Sequence, residues 1–145
     1  MSTIAPWTIV RRGRLLLARW QSLPDVAAAQ AYRADIFAAM TSDPSSVVIC
    51  ADWRSGSLLS PDAAEVLLGM LTGRSSQIER SAILLATNKA VFDLQVERLV
   101  REANHPSRRT FRDVEKQIAY LGAVLNASER DLARSFLVQP SWVRQ

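Results

Sequence analysis

Two runs free of any charged residue, 47–51 (Val47, Val48, Ile49, Cys50, Ala51) and 82–86 (Ala82, Ile83, Leu84, Leu85, Ala86), constrain the fold of this chain most strongly. Neither run alternates polar with apolar residues. A strand without alternation is covered on both faces, which is the habit of parallel strands joined by helices. Amphipathic stretches at helical spacing separate and follow the two runs, so the pattern predicts an α/β sheet protein.

The remaining segments fit that reading. Residues 7–11 and 15–20 are β-prone, and Gly13 between them supplies the positive φ of a tight hairpin. Residues 25–41 form a helix with Ala29, Tyr32, Ile36, Phe37 and Met40 as its inner stripe. Ser60 before Pro61 marks the N-cap of a helix running to Thr72, with Gly73 at its C-cap. Residues 80–87 make the second fully apolar strand, followed by a helix over 89–103 with Phe92, Val96, Leu99, Val100 and Ala103 inward. A short edge strand at 108–111 precedes a helix over 113–125, which Asn126 is expected to close. Ser128 with Asp131 opens a last helix to about Leu137. The expected fold class is α/β, a single mixed and mostly parallel β-sheet of about five strands, with an N-terminal antiparallel hairpin and helices packed on it.

The 145 residues suit one domain, which can bury roughly 70% of its unfolded surface without staples. Its expected limits are residues 1–138, with 139–145, including Trp142, as a C-terminal tail. Residues 1–10 show no basic leader followed by an apolar stretch, and no segment approaches the ~18 uninterrupted apolar residues of a membrane span. The reading is a cytoplasmic protein. Net charge is +4 with 14 acidic residues interspersed, a mildly basic surface rather than a nucleic-acid footprint.

Hairpin, helix, strand, helix, strand, helix, strand, helix resembles the STAS fold of anti-sigma-factor antagonists, and more closely the SpoIIAA-like group of small bacterial proteins. The resemblance covers about residues 7–125. It rests on the element order, the strand Val48-Ile49-Cys50-Ala51-Asp52 ending in an aspartate, the loop and Ser60-Pro61 helix start that follow, and the stretch from Arg108 to Glu115 through Tyr120-Leu121. The resemblance implies a signalling module that meets a protein partner through the loop after the aspartate-ended strand and the next helix. In kinase-regulated antagonists a phosphorylatable serine lies at the start of that helix within an aspartate-serine-serine-glycine signature. Here the stretch reads Leu58-Leu59-Ser60-Pro61-Asp62, so the signature is absent and Ser60 alone stands as a possible phosphorylation site, its ordinary role being an N-cap.

No constellation points to catalysis, a metal or a cofactor. His105, the only histidine, sits at a helix end with no nucleophile or orienting group indicated. One histidine and one cysteine in different elements make no ligand set, and no glycine-rich loop is built to cradle phosphate. Cys50 reads as a small core hydrophobe. Arg98, Arg101, Arg108, Arg109 and Arg112 are expected on a solvated face among Glu97, Glu102, Asp113 and Glu115. Trp53 beside Arg54 in a polar loop has the composition of an interface anchor.

The expectation is therefore a non-enzymatic regulatory interaction module that binds a protein partner through Trp53, Arg54, Ser57, Asp62 and Leu68. The alternative is a carrier or sensor of a small lipid-like or nucleotide ligand, held in an apolar cavity beneath the first helix. An unpaired hairpin edge and a sheet face short of helix would make a homodimer possible.

Overall fold

The structure, a computed structural model, describes residues 6–139; the expected tail from 140 onward, with Trp142, lies outside the described residues. Five strands form one sheet in the order β1-β2-β3-β4-β5. β1 (Trp7–Arg12) and β2 (Leu15–Trp20) pair antiparallel, whereas β3 (Val47–Asp52), β4 (Ile78–Leu84) and β5 (Arg108–Phe111) each run parallel to the strand before them. The architecture is the expected α/β one, and the two apolar runs lie side by side at its centre. Gly13 turns the hairpin at φ +59° in a two-residue loop closed by the Arg12 and Leu15 pair.

A sheet that grows in one direction through crossovers of one hand must carry all its crossover helices on one face. That is where α1 (Val26–Thr41), α2 (Pro61–Thr72) and α3 (Ala90–Ala103) lie. Their inner residues, among them Tyr32, Ile36, Leu67, Met70, Phe92 and Val96, pack on Leu16, Ala18, Trp20, Val47, Ala51, Ile83 and Leu85. The chain then turns to the opposite face, where α4 (Val114–Gly122) and α5 (Ala127–Val138) bury Ile118, Leu121, Ala133, Phe136 and Leu137 against Leu15, Leu17, Val48, Cys50, Ala82 and Leu84. Odd and even positions of each strand thus divide between two cores. Both faces are covered, so the bare sheet face expected from the sequence is not present. The other ground for self-association, an unpaired edge, is present among the described residues at β1, which pairs there with β2 alone.

That edge is charged rather than apolar. Arg11 reaches from it to the end of α1 and donates through Nη1 to the carbonyls of Ala39 (3.0 Å), Met40 (2.7 Å) and Asp43 (2.9 Å). An arginine satisfying last-turn carbonyls complements the negative end of the helix dipole and blunts the edge at once.

Caps form largely as the residues dictate. Asp25, Ser60 and Asp113 each accept from the N–H three residues on. The last helix departs from expectation: Asn126 is its N-cap rather than the C-cap of the helix before, and the capping box pairs Asn126 with Glu129 rather than Ser128 with Asp131. Asn126 prevails because its amide oxygen accepts from the Glu129 N–H while the Glu129 carboxylate returns a bond to the Asn126 N–H, both at 2.8 Å. Helix α4 accordingly ends at Gly122, three residues before the expected Leu125. β4 also begins two residues earlier than expected and stops at Leu84. Gly73 occupies the C-cap but at φ −72°, so its lack of a side chain serves packing: a Cβ there would lie 2.7 Å from Phe37 Cζ.

Gly56, in the loop after β3, is tighter still, since a Cβ would meet Phe92 Cζ at 2.6 Å and Trp20 Cη2 at 2.7 Å. Both rings are buried and cannot retreat to solvent. Gly56→Ala is expected to destabilise the fold by about 1–3 kcal/mol through overpacking, read as a lower urea midpoint at unchanged slope.

Candidate functional site

All parallel strands end on the same side of the sheet, and in open α/β sheets that carboxyl end is where loops gather into clefts. Asp52 closes β3 there, with its side chain 6% exposed. Two arginines meet it. Arg19, at the end of β2, donates from Nε to Oδ2 at 3.1 Å, and Arg54 donates from Nε to Oδ1 and from Nη2 to Oδ2, both at 2.9 Å. The Arg54 backbone N–H adds a bond to Oδ1 at 3.1 Å. Burial opposes the charge on Asp52, but the hydrogen bonds from Arg54 and the charges of Arg54 and Arg19 hold its carboxyl below the usual range.

The same arginines hold the end of α5. Arg19 donates to the Phe136 carbonyl and stacks 4.3 Å over the Phe136 ring, and Arg54 donates to the Leu137 carbonyl. Arg19, Gln21, Asp52, Arg54, Ser55 and Leu137 line a cleft of about 570 Å³. Its cations are committed to Asp52 and to helix carbonyls, so the cluster is a clamp between the sheet and the last helix.

Trp53 corrects the sequence reading. It is 2% exposed, with its ring 5.5 Å from Trp20 in an edge-to-face pair, and Trp20 in turn lies 5.7 Å from Phe92. The backbone explains the inversion: the Trp53 N–H bonds to the Leu84 carbonyl at 2.9 Å, extending the β3–β4 ladder by one residue and aiming the indole at the first core. It anchors the loop from within. The loop is pinned elsewhere too, by Lys89 Nζ donating to the carbonyls of Arg54 (3.0 Å) and Gly56 (2.7 Å) and by Gln95 bonding both the N–H and the carbonyl of Leu59 at 2.9 Å.

Outward, the loop presents Ser57 and Leu58. Leu58 is 61% exposed beside Val91 (65%) and Leu94 (66%) of α3. Residues 56–58 and 88–92 line an open cleft of about 570 Å³, and Leu94 continues it one helical turn along. A second groove, of about 320 Å³, runs between α2 and α3 and holds Leu68, half-buried, with Glu65, Gln95, Arg98 and Glu102. Ser60 is exposed, and its Oγ accepts from the Ala63 N–H at 3.2 Å; Asp62 lies exposed in the first turn of α2. Of the residues predicted for a partner, Ser57 lines the first cleft, Leu68 lines the groove between α2 and α3, and Asp62 is exposed in the first turn of α2, whereas Trp53 is buried in the core and Arg54 is tied to Asp52. The sequence reading missed Leu58, Val91 and Leu94. Val91 and Leu94 carried a signal, an apolar pair three apart and offset from the inner stripe of Phe92, Val96 and Leu99.

The other chemistry-bearing groups are accounted for locally. His105 accepts at Nδ1 from the Ser107 N–H (3.1 Å), which leaves Nε2 to donate to the Ser75 carbonyl (3.0 Å). Burial pushes the Cys50 thiol up, away from the thiolate form. Among the described residues no three His, Cys, Asp or Glu side chains group to hold a metal ion, and no helix is long and apolar enough to cross a membrane.

The expected salt-bridged arginine face forms in part, and Arg108 departs from it. Arg112 pairs with Asp93 (3.2 Å) and Glu97 (2.7 Å), and Arg98 pairs with Glu102 (2.9 Å). Arg109 donates to the carbonyls of Pro106 and Arg108, and Arg108 itself is buried. Its register explains the burial: opposite Ser81 in β4, Arg108 shares that residue's inward face of the sheet.

Removing Asp52 would leave two guanidinium groups without their shared anion. Asp52→Ala is expected to destabilise the fold by about 3–5 kcal/mol at neutral pH. A depressed carboxyl stabilises the folded state above its unfolded value, near pH ~3.9, and loses that contribution as pH falls through its lower folded value. The gap between wild type and Asp52→Asn in urea midpoint is therefore expected to be constant near neutrality and to narrow below about pH 4. No protein-family model matches the chain, and comparison with curated proteins gives no match.

Proposed function

We propose that this chain is a non-enzymatic interaction module that binds another protein through the cleft lined by residues 56–58 and 88–92 and the groove between α2 and α3. One observation carries the reading: Leu58 and Val91 line one open cleft and Leu94 lies a helical turn beyond Val91, each more than half exposed on a loop and helix that are otherwise tightly held. Such surfaces mark recognition sites when polar groups border them: Ser57, Asn88 and Lys89 border the cleft, and Glu65, Arg98 and Glu102 line the groove. Lys89, Gln95 and the buried Trp53 preorganise the loop, which lowers the entropy lost on association. The partner is one that offers apolar side chains to this cleft. Phosphate on Ser60 would add ~2 negative charges at the start of α2, beside the groove, and would turn away an acidic partner.

The carrier alternative has less support. The cavity beneath α1 measures about 30 Å³, against the roughly 300–1,000 Å³ of sites that enclose small molecules.

Leu58→Asp and the double variant Val91→Ser/Leu94→Ser are expected to lose at least tenfold in retention of the partner that wild type captures, identified by mass spectrometry, with Tm within about 2 °C of wild type. A variant at the distant exposed Glu79 serves as the control and should retain it. Equal capture by all variants overturns the reading. Light scattering separates a different protein from a second copy, since wild type at micromolar concentration should give the 16.1 kDa of one chain.

A further inference from the structure

Arg108 opens β5 and is 4% exposed, with Nε and Nη1 both lacking a hydrogen-bond partner. None of the ion pairs among the described residues includes it, and no aromatic ring stacks on it. Burial lowers the guanidinium to about 10, which still leaves it charged at neutral pH. An uncompensated buried charge of this kind costs several kcal/mol.

The side chain lines the cavity beneath α1 and α2, together with Tyr32, Trp53 and Ser81. Every polar side chain there can donate a hydrogen bond, and the buried Trp53 Nε1–H makes no full hydrogen bond, interacting at most weakly with the Tyr32 hydroxyl, whose own O–H stays free to donate. The remaining lining is aliphatic or thioether, from residues such as Ile36, Met40, Ile83 and Met70. Donors with a positive charge and no carboxylate are the complement of an anion. At about 30 Å³, and with one water needing roughly 10–15 Å³, the space takes a single small ion. Water would satisfy the donors but leave the charge unbalanced.

We propose that the cavity walled by Arg108, Tyr32, Trp53 and Ser81 is a binding site for one small monovalent anion, of chloride or formate size. The site is separate from the exposed protein-binding surface and stands whether or not that reading holds. The test is thermal unfolding of the full chain in sodium chloride and in sodium formate against sodium gluconate, whose anion is too large, at constant ionic strength. Wild type should show a saturable rise in Tm, roughly 5–10 °C at a hundredfold excess over Kd, and a 1:1 stoichiometry by titration calorimetry. Arg108→Met should abolish the rise. Should that variant fail to fold, Tyr32→Phe and Trp53→Phe keep the charge while each removing a donor, and each should weaken affinity about tenfold. Chloride and formate acting alike assigns the site to any small anion, and one acting alone names its source. No dependence on either anion, an equal dependence in Arg108→Met, or tighter binding of hexanoate than of formate would overturn the proposal.

Discussion

Three adjacent strands, β2, β3 and β4, are buried on both faces, and most other features follow from that constraint. Strands with no solvent-facing side leave side chains nowhere to carry polar chemistry except at their ends. The ends are therefore where charge collects. Asp52 meets Arg19 and Arg54 one residue beyond the greasy part of β3, and the two cations also receive the terminal carbonyls of α5. One carboxylate thus holds the sheet, the loop after β3 and the last helix in a fixed relation. The loop owes its shape to this clamp on one side and to Lys89 and Gln95 on the other.

The same constraint decides which side chains reach a partner. A tryptophan next to an arginine in a polar segment reads as an anchor until the strand is seen to continue one residue farther. Trp53 then falls on the inward side, and Leu58, five residues on, takes the outward place. Recognition surfaces on such a sheet are made by what the pinned loop cannot bury, and the apolar faces of Val91 and Leu94 extend it because α3 has only one side to spend on the core.

Much of the fold was legible in the residues. The uncharged runs at 47–51 and 82–86 announced central strands, Gly13 a hairpin turn, and Ser60-Pro61 a helix start, because each reports a local requirement of backbone or burial. What escaped was set by register and by distance along the chain. Trp53 and Arg108 turn inward because of the strands they pair with, and no neighbouring residue betrays that. The break at 123–126 was misjudged for a different reason: Asn serves both ends of helices, and only the reciprocal bond with Glu129 decides which. Of the expected partner-binding residues, Ser57 and Asp62 are exposed and Leu68 is half-buried in a groove, as their loop and helix positions dictate.

The two cores differ in when they can form. The one beneath α1, α2 and α3 is complete by Leu99, whereas the other needs Ile118 through Leu137 to cover strands that lie far earlier in the chain. Arg14 at the hairpin turn and Glu129 in α5, bonded at 2.9 Å, are 115 positions apart. During synthesis at about 5–20 residues per second, the sheet face bearing Leu17, Val48 and Cys50 stands naked for some seconds after its opposite side has closed. The C-terminal helical hairpin thus acts as a late cover, and a chain lacking residues 113–138 would display the apolar face of Leu17, Val48 and Cys50 to any chaperone that meets it.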